Sequence, residues 1–426
     1  MLQRLRENEA LLALCGATFL VMAGQGVVSP VVPLYAKDFG VSTTMVGLTL
    51  TVFATARLIL NVPAGLIADR FGRRWLLVGG PIITSVGMFG SGFADDIWTL
   101  LAWRFVAGAG SAFYMSGALV YLIDVARPDQ RSRFIATNQW ALSLGVAMGP
   151  GIGGLIADAY GLSAPFHVVG ALAIVSAIYA AVRLPETRGV VPDEPVAPET
   201  ADAGLADGTA EPEPAALTPT EAAVDQSMTA RSLIRTGAFI ALAFTTLTIF
   251  MTRAGTRATL MPLQADSELG WGPSEIGLVF TATGAITLFT LMPAAWVADN
   301  IGRRHLILFS GVMAGIGTLV VALVTTLVGF IVGAVIMSIG TGTAGPAPSA
   351  FAADITPDRM RGVGIALYRS AGDVGFLLGP FALGWLSDQT SISTSLVVAA
   401  VLVTVAGAWF MASQRTHPAA GRQVGA

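Results

Sequence analysis

The segment GLIADRFGRR, residues 65–74, decides the architecture, because a close copy of it, AWVADNIGRR, occupies residues 295–304. Each copy joins two long apolar runs, and the copies lie 230 positions apart. Other landmarks repeat at an offset of 229 or 230: Pro33-Leu34 with Pro262-Leu263, Asp124 with Asp354, Arg131 with Arg361, and Gly149-Pro150 with Gly379-Pro380. This constant offset predicts two homologous halves related by a pseudo-two-fold axis along the membrane normal.

The composition is that of a membrane protein. Of the 426 residues, 54% are hydrophobic and 12% charged, whereas a soluble protein carries about 25% charged residues. Apolar runs of about 20 residues recur along the chain, and each can cross a bilayer as a helix. We therefore predict an all-α integral membrane protein with twelve transmembrane helices. Their spans are 10–36, 42–68, 74–93, 97–124, 132–158, 163–183, 233–261, 274–298, 305–325, 328–353, 360–386 and 392–412.

The spans group into two bundles of six, separated by an acidic segment. Residues 1–183 form the predicted N-terminal bundle, and residues 232–426 form the C-terminal bundle with a short tail. Between them, residues 184–231 are rich in Pro, Ala, Glu, Asp and Thr and hold nine acids from Asp193 to Asp225. Such a composition buries too little apolar surface to fold, so we predict a disordered linker.

The basic residues predict the orientation. Eighteen of them flank the spans on the side of the chain termini and the linker, whereas Lys37 alone lies on the other side. Because Lys and Arg in short loops stay cytoplasmic, both termini and the linker are expected in the cytoplasm. The Arg-rich, Lys-poor usage is typical of a GC-rich bacterial genome, so we expect a multi-pass protein of the bacterial inner (plasma) membrane.

Several function classes are disfavoured. The single cysteine, Cys15, excludes a disulfide framework, and three scattered histidines cannot form a histidine metal site. Neither a Ser/His/Asp set nor a nucleotide-binding loop accompanies the helices. We therefore expect no enzyme activity, no cofactor, no metal and no nucleic-acid partner. A membrane-embedded enzyme or receptor is the rival class, and a folded domain within 184–231 would favour it.

The segment 65–74 resembles the motif between the second and third helices of the major facilitator superfamily. The resemblance implies the major facilitator fold of two six-helix bundles, in which this loop acts as a conformational latch. It also implies that Asp69 faces the region of Arg361 and that Arg73 faces Asp124. The motif residues of the two copies, with the acids that end the fourth and tenth spans, are Gly65, Asp69, Arg70, Gly72, Arg73, Arg74, Asp124, Asp299, Arg303 and Asp354. For the two span-ending acids, helix capping and gating are equally supported.

The fifth span contains GVAMGPGIGG, residues 145–154. Proline bends a helix, and glycines at this spacing form a smooth face for close packing. The pattern resembles the fifth-helix motif of antiporters, particularly the twelve-span drug:proton antiporter branch of the superfamily. The alternative is an ordinary helix contact made by small residues. The motif residues are Gly145, Gly149, Pro150, Gly153 and Gly154.

Charged residues inside the spans are costly and usually face a cavity. Arg104, in the pattern Leu100-x3-Arg104-x3-Gly108, resembles a third motif of that branch, whose arginine lies near the proton or substrate path; a structural ion pair is the alternative. Arg369 and Asp373 stand four residues apart on one helix face, which favours an internal ion pair. The other interpretation makes Asp373, the deepest carboxylate, the group that carries a proton.

These patterns predict a polar cavity between the halves. Its residues are expected to be Gln25, Arg57, Arg104, Asn138, Gln139, Arg253, Arg369 and Asp373. The predicted function is secondary active transport by alternating access, as proton-coupled efflux of small amphipathic compounds. The rival function is transport of organic anions or metabolites by the arginine-rich cavity, with or without proton coupling. The expected partners are the lipid bilayer, a small-molecule substrate and protons, and the chain is expected to act as a monomer.

Overall fold

The computed structural model describes residues 2–126, 130–187, 233, 235–324, 326–357 and 360–413. Within these residues the chain is helical and contains no strand, which confirms the all-α prediction. The helices of the N-terminal half are α1 (Leu2–Val28), α2 (Val31–Asp38), α3 (Thr43–Phe71), α4 (Arg73–Gly92), α5 (Ile97–Val125), α6 (Arg131–Tyr160) and α7 (Ala164–Arg183). Of the predicted linker, only residues 184–187 are described, so residues 188–231 lie outside the described residues.

The C-terminal half repeats this plan. Its helices are α8 (Gly237–Met251), α9 (Met261–Leu269), α10 (Pro273–Val297), α11 (Arg303–Leu323), α12 (Leu327–Thr343), α13 (Pro346–Asp354), α14 (Arg361–Gln389) and α15 (Ile392–Ser413). A π-helical segment, Thr252–Leu260, joins α8 to α9, and a second one, Ala298–Gly302, joins α10 to α11.

Eleven helical runs in the described residues are long and apolar enough to cross a membrane. The helix α14 has 29 residues but is not among them, and it contains Arg369 and Asp373. The predicted eleventh span therefore exists as a helix, while the count of twelve spans stays a prediction.

Two predicted spans have wrong boundaries and a third is divided internally, each near a proline. The first span breaks after Val28, because Pro30 precedes a separate short helix, α2. The seventh span runs from Gly237 to Leu269 instead of 233–261, because the helix continues through Pro262 after the π-helical segment Thr252–Leu260. The tenth span divides before Pro346 into α12 and α13.

Each half has its own buried core. In the N-terminal half, α1, α4, α5 and α6 enclose Leu14, Leu77, Tyr114 and Phe134, all of which are at most 2% exposed. In the C-terminal half, Leu242, Ile307 and Phe410 form a corresponding cluster. The two halves meet along two helix pairs, α3 with α14 and α6 with α10.

Candidate functional site

The two halves are joined at one end of the molecule. We call this the outer end, defined by residues 37–51, 147–162, 263–284 and 377–392; the opposite inner end contains residues 65–74, 124–126 and 295–304. At the outer end the Thr51 hydroxyl donates to the Leu377 carbonyl (2.8 Å), and the Gly151 amide donates to the Thr281 hydroxyl (2.7 Å). Thr51 and Thr281 lie 230 positions apart, so equivalent threonines of the two halves make these contacts, although with partners that are not equivalent.

Glycines let the helices cross closely at this end. A Cβ on Gly47 would lie 2.2 Å from the Pro380 carbonyl oxygen, and one on Gly277 would lie 2.3 Å from that of Pro150. These two contacts also repeat at an offset of 230. Because only a hydrogen fits at either position, a larger side chain forces the helices apart.

The glycines of the fifth-span motif divide between two neighbours. Gly145, Gly149 and Gly153 pack on α1, where an added Cβ would lie 2.7 Å or less from its backbone. Gly154 faces the other half, where its Cβ would lie 2.2 Å from the Pro273 carbonyl oxygen. The motif thus joins α6 both to its own bundle and to the opposite one.

Towards the inner end, α6 and α10 no longer cover each other. Trp140 and Leu144 of α6 are 43% and 44% exposed, and Phe289 and Met292 of α10 are 80% and 66% exposed. Between them lies an apolar groove of about 410 Å³, which Met148 and Leu288 also line. Along this edge the two halves are therefore in contact towards the outer end and separated by the apolar groove towards the inner end.

A charge interaction crosses between the halves at mid-depth. The charge of Arg57 in α3 acts on Asp373 in α14 more strongly than that of Arg369 does, although Arg57 and Asp373 form no ion pair within 4 Å in the described part of the chain. The Nε of Arg57 is buried and has no hydrogen-bond partner, whereas Asp373 is exposed to the space between the halves. Among the described residues, Arg369 and Asp373 do not form an ion pair within 4 Å. The expected ion pair along α14 is therefore not formed, and the charges of both Arg57 and Arg369 act on Asp373.

The other arginines within the spans face aromatic rings. Arg104 is 4% exposed, with its guanidinium 4.6 Å from the Phe53 ring centroid and its Nε 3.5 Å from the Thr49 carbonyl. Arg257 lies 5.8 Å from the Phe280 ring centroid and donates to Thr283 Oγ1 at 3.2 Å. No carboxylate lies within 4 Å of either guanidinium in the described part of the chain. The ion-pair alternative for Arg104 is therefore wrong.

Arg253 and Arg257 lie in the π-helical segment Thr252–Leu260, which periodicity did not predict. Arg253 stands 5.5 Å from the Phe250 ring centroid, and its charge repels that of Arg257. Two like charges in one wide helical turn leave the C-terminal half strongly positive at this depth. A π-helical turn often marks a functional site.

The three amide residues are placed differently from one another. Gln25 donates to Ser111 Oγ at 2.8 Å within the N-terminal half. Asn138 is 9% exposed, and its Oδ1 is buried with no hydrogen-bond partner. Gln139 is exposed. Neighbouring Asn138 and Gln139 thus do not share one environment, and Gln139 alone of the two is open to solvent.

At the inner end, the ion pairs of the described residues lie within each half. Arg73 Nε donates to Asp124 Oδ2 at 2.7 Å, the contact that the family resemblance implied. The repeat forms the equivalent ion pair, Arg303 with Asp354. The side chains of Asp69, Asp299 and Arg361 lie outside the described ones, so the second implied contact stays a prediction.

The rest of the 65–74 segment is organised by an acid that the sequence patterns did not single out. The Glu186 carboxylate accepts from the backbone amides of Arg73 (2.9 Å) and Arg74 (3.1 Å), and so caps the first turn of α4. Gly72 has a φ of +100°, which turns the chain from α3 into α4. Gly65 has no atom within 4 Å of an added Cβ, so close helix packing does not explain it. Arg70 lies 5.5 Å from the Phe71 ring centroid.

Solved structures with the same fold are transporters. A bacterial homolog to the human lysosomal transporter Spinster, in an inward-facing and occupied conformation, has a TM-score of 0.76 and 17% identity, with 96% of this chain and 97% of that chain covered. A POT family transporter in complex with a thioalcohol-conjugated peptide has a TM-score of 0.75 and 11% identity, with 95% and 96% covered. At these identities the likeness concerns the fold alone.

Three curated relatives are similar in sequence. An uncharacterized MFS-type transporter of Methanocaldococcus jannaschii is 22% identical over 390 residues, which are 92% of this chain and 94% of the relative. Multidrug resistance protein 1 of Bacillus subtilis is 32% identical, and quinolone resistance protein NorA of Staphylococcus aureus 29% identical. Each of those two matches spans 181 residues, 42% of this chain and 46% of the relative.

The family model described as Major Facilitator Superfamily matches residues 14–263 and 242–426. These two matches together cover nearly the whole chain and include both copies of the repeated motif. The chain therefore belongs to the major facilitator superfamily and is a multi-pass membrane transporter rather than an enzyme.

Proposed function

We propose that this transporter exports small amphipathic compounds in exchange for protons, with Asp373 as the proton-carrying group. The observation that carries the proposal is the charge interaction between Asp373 and Arg57, which joins helices of opposite halves at the accessible side of the cavity. The names of the two resistance proteins, each similar to less than half of this chain, support the substrate class.

The mechanism follows from the charge on one carboxylate. When Asp373 is ionised, its attraction to Arg57 favours approach of α3 and α14 at mid-depth. When Asp373 takes up a proton, this attraction is lost, while the positive charge of Arg57 remains. The free energy of protonating Asp373 therefore differs between the two arrangements of the halves. Such a difference is the requirement for coupling a proton to a conformational change.

The described arrangement supplies a place for an amphipathic substrate. The apolar groove beside Trp140 and Phe289 is a space between α6 and α10, one helix from each half. With the predicted orientation, this space opens to the cytoplasm and the inner membrane leaflet, from which an exporter takes its substrate. Since both halves contribute to the charge pair, a single chain contains the whole proposed pathway, and we propose a monomer as the functional unit.

The test is transport by the full chain in proteoliposomes with an imposed proton gradient. We expect the wild type to release protons from the acidic side when a cationic or zwitterionic amphiphile is supplied. Asp373→Asn is expected to abolish this proton flux and to retain exchange of labelled for unlabelled compound, since exchange needs no net protonation. Asp95→Asn, at an exposed outer carboxylate, is the matched control. Proton flux by Asp373→Asn equal to that of Asp95→Asn contradicts the proposal.

Transport of organic anions is a second candidate, favoured by the excess of arginine over acid. Arg57 interacts with Asp373, whereas Arg253 and Arg257 have no carboxylate within 4 Å among the described residues. Such an unbalanced positive charge attracts anionic groups. If anionic amphiphiles alone are transported, if Arg253→Gln lowers that transport, and if Asp373→Asn behaves as the wild type, this second function replaces the first.

A further inference from the structure

We propose that Asp158 and Asp388 are positioning residues that hold the outer end closed, each by capping the first turn of a helix in the opposite half. Together with the ion pair between Lys37 and Asp266, they form what we call the outer latch. This inference goes beyond the proposed function, since it depends neither on the substrate nor on the coupling ion.

Asp388 lies at the end of α14 and reaches the start of α3. Its two carboxylate oxygens accept from the Thr43 and Thr44 backbone amides, each at 2.8 Å, and from the Thr44 hydroxyl. Amides in the first turn of a helix have no acceptor within that helix, and they favour a negative charge. Ser42 accepts from the Met45 amide of the same turn. Asp388, by contrast, supplies the acceptor for the Thr43 and Thr44 amides.

Asp158 makes the corresponding contact on the other side of the pseudo-axis. It lies near the end of α6, and its Oδ2 accepts from the Ser274 backbone amide in the first turn of α10 at 3.2 Å. Asp158 is 230 positions before Asp388, and Thr44 is 230 positions before Ser274. The neighbouring Pro273 has no N–H, so Asp158 receives fewer hydrogen bonds than Asp388.

The ion pair lies on the pseudo-axis itself. Lys37 Nζ lies 2.7 Å from Asp266 Oδ2, and the two residues are 229 positions apart, so they are equivalent positions of the two halves. One half supplies the cation and the other supplies the anion. Beneath the pair, Leu34 packs into the core of the C-terminal half, and Leu263 packs into that of the N-terminal half.

The strength of these contacts suits a latch that opens in every cycle. All three join opposite halves and lie at the end where the helices must separate for outward opening. The contacts are exposed, so water replaces them when the helices part. A carboxylate at an exposed helix start therefore changes the equilibrium between the closed and the open outer end by at most about fivefold. Asp158 and Asp388 share no partner, so their effects are expected to multiply, and removal of both changes the ratio of closed to open outer ends by at most about 25-fold.

The experiment measures the outer distance in the full chain, reconstituted in lipid without substrate and at equal pH on both sides. Spin labels are attached to cysteines at Trp98 and Val328, which are 69% and 67% exposed at the outer end of opposite halves, in a Cys15→Ser background. Asp158→Asn/Asp388→Asn is compared with the wild type and with Asp95→Asn, an exposed outer acid that interacts with Tyr35 of its own half.

We expect the ratio of long to short outer distances to rise by up to about fivefold for each single variant and about 25-fold for the double variant, with no change for Asp95→Asn. If the double variant is not stably folded, the single variants and Thr44→Val give the same test. Distance distributions equal to the wild type in the single variants overturn the proposal. This result would leave the role of Asp373 untouched, because proton flux is measured separately.

Discussion

Replacing Gly47 by alanine is expected to open the outer end. In the described state, a Cβ at this position would lie 2.2 Å from the Pro380 carbonyl oxygen and 2.7 Å from its carbonyl carbon. Since ordinary contact begins at about 3.4 Å, α3 and α14 have to move apart by about 1 Å. Overpacking of this kind costs about 1–3 kcal/mol. When the outer ends separate, the clash is absent, so the cost applies to the closed state alone.

The magnitude follows from that difference. Alanine favours a helix over glycine by about 1 kcal/mol, but it does so in both states and cancels. The remaining 1–3 kcal/mol changes the ratio of closed to open outer ends by about 5- to 150-fold. The same result is expected for Gly277→Ala, the repeat-related position, whose Cβ would lie 2.3 Å from the Pro150 carbonyl oxygen.

Two glycines provide controls. Gly79→Ala adds a methyl group with no atom within 4 Å, so it is expected to leave the outer distance unchanged. Gly108→Ala places a Cβ 2.5 Å from the Phe53 carbonyl oxygen within one half, so it should lower thermal stability without favouring the open state. The assay combines spin-label distances across the outer end with thermal unfolding. An outer distance for Gly47→Ala equal to that of Gly79→Ala, or an equal opening by Gly108→Ala, refutes the reasoning.

Three further predictions concern charged residues. In chemical unfolding, Asp124→Asn should lower the free energy of unfolding by about 1.5–3 kcal/mol. Asp354→Asn should lower it by only about 0–1 kcal/mol, because the ion pair of Asp354 is more exposed. Partial burial raises the pKa of Asp38, and the nearby charge of Asp266 raises it further, so the ionised form is disfavoured in the folded state. Asp38→Asn should therefore raise the melting temperature at pH 7.5. This gain should vanish as the pH falls below about 4, where the carboxyl group is protonated in both the folded and the unfolded state. Arg104→Met, which removes a buried charge without a carboxylate, should keep or raise thermal stability while transport falls.

Each of these predictions can fail in a distinct way. Equal losses for the Asp124 and Asp354 variants would mean that burial does not set the strength of the inner ion pairs. A gain for Asp38→Asn that persists at pH 4 would mean that its charge is not the cause. A marked loss of stability in Arg104→Met would assign that arginine a structural role.

Much of the architecture could be predicted from the sequence, because it depends on local composition and on repetition. The length of the apolar runs predicts membrane helices, and the offset of 230 between residues 65–74 and 295–304 predicts two equivalent halves. The contact between Arg73 and Asp124 followed from the resemblance of this segment to a family motif. These features need no knowledge of which helices lie side by side.

The local backbone departed from these rules where proline and π-helical turns occur. Pro262 looked like the end of a span, yet the chain continues helically through it, directly after the π-helical segment Thr252–Leu260. The π-helical segment Thr252–Leu260, which holds Arg253 and Arg257, gave no periodic signal, since its side chains do not follow the usual helical repeat.

Contacts between the halves were decided by the tertiary structure alone. Spacing along α14 suggested Arg369 as the partner of Asp373, but the strongest charge acting on Asp373 is Arg57, which is far away in sequence. The acids Asp158 and Asp388 occupy equivalent positions that the sequence patterns did not single out, and their acceptor role depends on the first turns of α10 and α3 lying opposite them. Sequence determines which side chains a helix offers, whereas the packing of one bundle against the other determines what they meet.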